Sequence, residues 1–343
     1  MNITITDVDT RKAFDIVNIL KSKGYKLSLH SSKNLFHRVL LSLIYLTPVK
    51  SFIDKNSIVL PTEDRTILNI IEQDFTLTLP SKKSLKIALD KEKFGRFCQE
   101  EGFLAPKIFL YDELLDMQEI PKLILKPKTG SGSMGIKFID TKDELKSLDV
   151  DLKEYIIQER LKETKEVEGA FFLFDKGKMI SFYSHKRLKT YPKRGGVTIY
   201  SISTNNQKLK NIGEKLLKKL NWSGFAMIEF IKDEDNYKII ELNPRVWGSI
   251  MLSEFCGSNM LENYVRILQD KKPINSDIKV GKKIRWLIPW DLGYLFKNFH
   301  SLDTKDTCYI NFSYASFYSS TLFLLYNILN PIMIKKLFKK ILS

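Results

Sequence analysis

Residues 239 to 249 read Ile-Ile-Glu-Leu-Asn-Pro-Arg-Val-Trp-Gly-Ser, and this run constrains the fold more than any other. Ile239, Ile240 and Leu242 are strand formers, and Pro244 ends the strand because it brings no backbone donor. Glu241, Asn243 and Arg245 are thereby set at the end of a buried strand. A carboxylate and an amide oxygen suit a hard cation, and a guanidinium suits an oxyanion. A second apolar run, residues 225 to 231, carries Glu229. Two strands each offering one Glu, followed by Asn and Arg, predict a place for Mg²⁺ between phosphate groups, with Glu229, Glu241 and Asn243 as ligands. The simpler alternative is a strand pair with its carboxylates in solvent. Apolar residues on both sides of each Glu, and the attached Asn-Pro-Arg, favour the metal site.

Upstream, residues 122 to 139 read strand, glycine-rich turn, strand, with Lys126 on the entering strand and Gly130, Ser131, Gly132, Ser133 and Gly135 in the turn. Glycines let backbone amides approach phosphate oxygens, and Lys126 aims a charge at the same place. The segment lacks the Gly-Lys-Ser/Thr triplet and following helix of a P-loop. A glycine-rich hairpin alone is often only a flexible turn; its meaning comes from the downstream carboxylates.

In this order the motifs resemble the ATP-grasp superfamily of ATP-dependent carboxylate–amine (or thiol) ligases. Within it the chain is most similar to the carbamoyl-phosphate-synthase-like carboxylate–amine ligases of unassigned substrate. The similarity covers about residues 1 to 270. It includes the opening strand and helix with Asp9 and Arg11, then Asp90-Lys91 and Glu101-Gly102 before the lid. His185-Lys-Arg187 and Gly195-Gly196 follow, ahead of Glu229 and the Glu241 to Arg245 run. The resemblance implies an α/β ATP-grasp fold, α+β in its lid, behind an N-terminal doubly wound parallel α/β lobe. It also implies ATP as the nucleotide, with Mg²⁺ or Mn²⁺.

Three segments are expected: a first lobe over residues 1–85, an ATP-grasp domain over 86–275 with its lid at about 107–160, and a C-terminal extension over 276–343. Apolar positions at helical spacing predict a helix from Arg11 to Ser22, between strands near residues 3 and 27. That βαβ opening points to a parallel sheet, and no Gly-x-Gly-x-x-Gly follows its first strand. A strand over residues 57–60 leads to Glu63 and Asp64, which either face the substrate cleft or cap a helix. Residues 84–101 are expected to form one helix carrying Lys91 near its middle. Tyr155 to Leu161 is a strand running into a hinge, and Gly169 to Gly177 signals a hairpin.

The implied chemistry is carboxylate activation. Lys91, Lys126 and the amides of the 130–135 loop hold the phosphate chain, and Arg245 neutralises the developing acyl-phosphate oxyanion. In the related enzymes the hinge holds adenine through its backbone, which here involves Glu159 and Leu161, with Gln158 beside the amino group. Glu166, ahead of Glu163 and Glu168, is the expected ribose partner. His185 and Arg187, two apart on a strand, share a face. With Gly195 and Gly196 they bind the carboxylate substrate or line the phosphate channel; His185 itself reads as structural. The expected substrates are a small carboxylate and an amine. A non-amine acceptor such as a thiol or bicarbonate, and a non-catalytic nucleotide-binding module at a membrane surface, are the alternatives.

The net charge of +15 raises nucleic acid as a partner, but the basic residues are dispersed and no nucleic-acid fold signature is present. A cationic field favours anionic small molecules instead. Residues 322 to 343 combine apolar residues with Lys335, Lys336, Lys339 and Lys340. Asn327 and Asn330-Pro331 argue against a membrane span; a helix packed on the body is favoured over peripheral contact with an anionic bilayer. Cys98, Cys256 and Cys308 are scattered without metal-ligand spacing, and no signal peptide is legible at the N-terminus. These features lead to the expectation of a cytoplasmic protein.

Overall fold

The computed structural model describes residues 2–130, 135–161, 167–191, 197–233, 235–286, 306–309 and 317–329. Its backbone packing forms two units. The first opens with β1 (Asn2–Ile5), α1 (Arg11–Ser22), β2 (Leu27–His30), α2 (Leu35–Tyr45), β3 (Val49–Lys50), β4 (Ser57–Leu60) and α3 (Asp64–Ile70). Its sheet is wholly parallel in the order β3-β2-β1-β4. The predicted α1 matches the helix found, because Ala13, Ile16, Val17, Ile19 and Leu20 make one buried stripe.

The second unit comprises residues 79–198 and 205–244. It begins with α4 (Lys82–Ala88) and α5 (Lys91–Glu100), where one helix was expected. The break falls at Leu89 and Asp90, since the Asp90 carboxylate accepts from the backbone N–H of Glu92 and Lys93 and starts a new helix. Lys91 therefore occupies a first turn, not a helix middle.

The lid follows: β5 (Ile108–Phe109), α6 (Tyr111–Asp116), β6 (Leu123–Pro127), β7 (Lys137–Ile139), α7 (Lys142–Lys146) and β8 (Tyr155–Glu159). Its antiparallel sheet has the order β5-β8-β6-β7. Leu123, Leu125, Ile139 and Ile157 bury one face of it against Leu114 and Leu145 of the two helices. Then come β9 (Val167–Asp175), β10 (Lys178–Tyr191), β11 (Val197–Thr204, whose residues 199–204 belong to the first unit), α8 (Gln207–Lys219), β12 (Gly224–Asp233) and β13 (Asn236–Asn243).

Strands β13, β12, β9 and β10 are neighbours in that order, all antiparallel. One face of these four is apolar: Ala170, Phe172, Phe174, Ala226, Ile228 and Phe230 pack on Phe94 and Cys98 of α5 and Leu209, Leu216 and Leu217 of α8. The first unit is completed by α9 (Ile250–Phe255), α10 (Met260–Ile267), β14 (Lys283–Arg285), β15 (Thr307–Tyr309) and α11 (Phe317–Ile328). β14 pairs antiparallel with β11 and parallel with β15.

Candidate functional site

The face of the four-stranded array that turns away from the helices carries the carboxylates. Glu229 on β12 stands opposite Glu241 on β13, and Met227 opposite Asn243. The same row continues through Gly169 on β9 to His185 on β10. Since residues two apart share a face, Asn243 and Arg187 join it. Strict alternation would put Ile239 beside Glu241 on this face. The register instead shifts, so that Phe230 faces Ile239 and Ile240 is the extra residue of a β-bulge. The bulge sends Ile239 into the core and leaves Glu241 on the polar face.

Below the charges lies an aromatic floor. Phe171 stacks on Tyr183 at 4.6 Å between centroids and meets the His185 ring edge-on, also at 4.6 Å. Gly169 makes room for both rings, because a Cβ there would stand 2.7 Å from Phe171 Cζ and 3.0 Å from His185 Nε2. His185 is buried, and neither ring nitrogen has a hydrogen-bond partner. Burial, helped by the Arg187 charge, pulls its pKa down to about 3. It is a neutral packing residue and too weak a base for proton abstraction.

The carboxylates are balanced by cations. Arg187 donates from a guanidinium nitrogen to Glu229. Lys126 alternates with Leu123 and Leu125, which fill the lid core, and so lies on the sheet's other face. It is only 8% exposed. Burial pulls its pKa down to about 8; Glu241 and Glu229 resist that fall and Lys91 adds to it. Lys126 therefore sits in the field of both carboxylates. Lys91 donates through Nζ to the Gly130 carbonyl at 2.6 Å and through its backbone N–H to Lys128 at 2.9 Å. Lys128 in turn pairs with Glu92 at 2.7 Å. The start of α5 is thus tied to the start of the glycine loop, where Gly130 and Gly135 adopt φ of 99° and 75°.

At the hinge strand, Glu159 forms an ion pair with Lys238 of β13, a residue that sequence reading did not single out. Its signal was a lysine inside an apolar strand. The Glu159 N–H donates to the Lys107 carbonyl at 2.9 Å. Gln158 is buried, with its Oε1 lacking a hydrogen-bond partner, and Leu161 is half-buried. Glu168 is fully buried, accepting from Tyr237 Oη at 3.0 Å and Asn206 Nδ2 at 3.2 Å, which makes it a core carboxylate. Ser131, Gly132, Ser133, Glu163, Glu166, Gly195 and Gly196 lie outside the described residues.

Arg245 belongs to the first unit, where its Nε lies 3.0 Å from Asp64 Oδ1. Lys12 pairs with Glu63 at 3.0 Å beside it. Burial, reinforced by the Arg245 charge, takes the Lys12 pKa down to about 8 against the pull of Glu63. Glu63 makes no side-chain cap to α3. The two acids after β4 are ion-pair partners, which answers the alternative of helix capping for Glu63.

Among the described residues no cluster of three or more His, Cys, Asp or Glu side chains is placed to hold a metal. The candidate set instead has two opposed carboxylates and an amide. That donor chemistry fits a hard divalent cation that takes its remaining ligands from phosphate and water, as Mg²⁺ does.

The family described as "ATP-grasp domain" matches residues 88–249. No curated protein matches the chain. Among solved structures, the biotin carboxylase domain of the Hydrogenobacter thermophilus 2-oxoglutarate carboxylase, in complex with MgADP, ADP and bicarbonate, is 13% identical. It aligns with a TM-score of 0.65 over 82% of this chain and 73% of its own. N5-carboxyaminoimidazole ribonucleotide synthetase from Thermus thermophilus is 15% identical, with a TM-score of 0.58 over 80% of each chain. Biotin carboxylase from Campylobacter jejuni is 14% identical, with a TM-score of 0.62 over 82% and 74%. At these identities the likeness is one of fold. The chain carries an ATP-grasp domain over residues 88–249.

Proposed function

We propose that the chain is an ATP-dependent carboxylate–amine ligase working through an acyl phosphate. The observation that carries this reading is the opposition of Glu229 and Glu241 with Lys126 held in their common field. Mg²⁺ (or Mn²⁺), held by Glu229, Glu241 and Asn243, would neutralise charge on the phosphate oxygens. Lys126 holds the phosphate chain, and Lys91 anchors the Gly130 end of the glycine loop. Glu159 has its N–H engaged with Lys107, so its backbone meets a purine through the carbonyl. Arg187, paired with Glu229, orients that carboxylate and lines the carboxylate-substrate side. Arg245 is assigned to the acyl-phosphate oxyanion.

In the first step a substrate carboxylate oxygen attacks the γ-phosphorus and the bond to ADP breaks. In the second an amine nitrogen attacks the acyl carbon, phosphate leaves, and the amine proton is lost. The enzyme supplies no nucleophile; rate comes from positioning and from charge stabilisation. Bicarbonate as the activated carboxylate is the second reading, favoured by the bicarbonate complex of the Hydrogenobacter structural relative. The test is ADP release in bicarbonate-depleted buffer across panels of carboxylates and amines, with mass spectrometry of the product. Release that needs a carboxylate and yields its amide supports the proposal. Release driven by bicarbonate alone supports the second reading, and nucleotide binding without any stimulated release overturns both.

A further inference from the structure

Helices α2 and α11, far apart in sequence, lie together in the first unit. Phe323 stacks on Phe14 at 4.2 Å, and His37 Nδ1 is 3.1 Å from Tyr326 Oη. Each helix buries one stripe through such contacts and exposes a second apolar stripe. On α2 and its cap the exposed stripe is Phe36, Val39, Leu43 and Leu46, at spacings of three and four residues. Phe36 is 68% and Leu46 73% exposed, far beyond what an isolated surface apolar residue needs explaining. On α11 and the residue after it the matching stripe is Tyr318, Leu325 and Leu329. Phe36 adjoins His37 and Leu325 adjoins Tyr326, so the two stripes flank the same seam.

A helix that exposes a second apolar stripe leaves that stripe to be covered by a partner or by lipid. Neither helix carries an acidic residue, and residues 307 to 334 contain no Asp, Glu, Lys or Arg. The segment that carries α2 is net basic in sequence, although Lys33 is paired with Asp9 at 3.7 Å. Residues 31 to 55 hold Lys33, Arg38, Lys50 and Lys55 against Asp54, four minus one, or +3. Lys335, Lys336, Lys339 and Lys340 follow α11 in the sequence with no acid among them. Among the described residues no helix is long and apolar enough to cross a membrane. An apolar face carried by segments of net positive charge suits attachment in the plane of an anionic bilayer. A second copy of the chain is a poor occupant, because each copy brings a net charge of +15.

We infer that the α2–α11 face docks the protein on an anionic lipid surface. The test is sedimentation of the full chain with vesicles of equimolar phosphatidylcholine and phosphatidylglycerol, against vesicles of phosphatidylcholine alone. Retention is expected on the anionic vesicles only, and it should weaken as salt rises. The triple variant Phe36→Ser, Leu43→Ser, Leu325→Ser should lose at least about tenfold in retention while keeping its melting temperature and ATP turnover. If the triple variant fails to fold, Phe36→Ser and Leu325→Ser tested singly on the two helices decide the matter. Failure of wild type to bind anionic vesicles, or equal retention of the serine variants, overturns the inference. So does a wild-type dimer in sedimentation equilibrium that the serine variants abolish.

Discussion

Glu229 and Glu241 stand directly opposite each other on antiparallel neighbours. Like charges in that position destabilise a sheet, typically by a few tenths to one kcal/mol. Arg187 on Glu229 and the field of Lys126 offset the repulsion, but neither removes the reason to expect a selected role. A fold indifferent to chemistry would gain by replacing one of the pair.

Glu241→Gln is therefore expected to leave the melting temperature unchanged or higher while lowering Mg²⁺-dependent turnover by about 10²-fold or more. Glu241 is the cleaner choice, since Glu229→Gln also strands Arg187. Thermal melts and ADP release measured on one preparation check this. A loss of stability large enough to account for the loss of rate would make Glu241 a structural residue.

Lys126 should reveal itself through two opposite pH slopes. Its folded pKa of about 8 lies below the ordinary 10.5 because of burial. Between those values the unfolded chain keeps a proton that the folded chain has lost, so stability rises with pH across that window. On the proposal that charged Lys126 holds the ATP phosphates, kcat/KM for ATP should fall as pH passes about 8. Lys126→Arg keeps its charge and should abolish both slopes. A variant with an unchanged alkaline limb would assign that limb to another group.

Much of this was legible in the sequence because the relevant signals are local. The α1 stripe, the strand ended by Pro244 and the turn at Gly177 each rest on a few adjacent residues. What was not legible depends on the partner strand or on competition between caps. The bulge at Ile240 exists only as a register against β12, so alternation in β13 alone misassigns Ile239. The split between α4 and α5 follows from Asp90 capping better than the helix propagates through it. The Glu159–Lys238 pair joins residues 79 apart; a lysine inside an apolar strand marks Lys238 as unusual, but nothing local names Glu159 as its partner.

Gly213→Ala tests how closely α8 approaches the sheet. Alanine is the better helix former by about 1 kcal/mol. A Cβ at this position, however, would stand 2.4 Å from Phe172 Cζ and 2.6 Å from its Cε2. Overpacking of that kind costs about 1–3 kcal/mol, so the clash outweighs the propensity gain. The expected outcome is a lower denaturation midpoint with ATP turnover per folded molecule unchanged. A stabilised variant would mean that α8 or Phe172 shifts freely.

His185 makes the last prediction, and its direction is the reverse of a catalytic histidine's. The folded ring has its pKa at about 3, chiefly through burial, against an ordinary 6.5. Between those values the unfolded chain binds a proton that the folded chain refuses. Stability is therefore expected to fall as pH drops from about 6.5 toward 3, and to be independent of this group above 6.5. His185→Phe keeps a ring against Phe171 and removes the ring nitrogens that lack partners. It should flatten the acid side of the stability profile while leaving the neutral pH dependence of turnover as it was. Denaturant titrations at several pH values, with turnover measured in parallel, separate the two. An acidic limb in turnover that vanishes in His185→Phe would show that the ring titrates during the reaction and is not a packing residue.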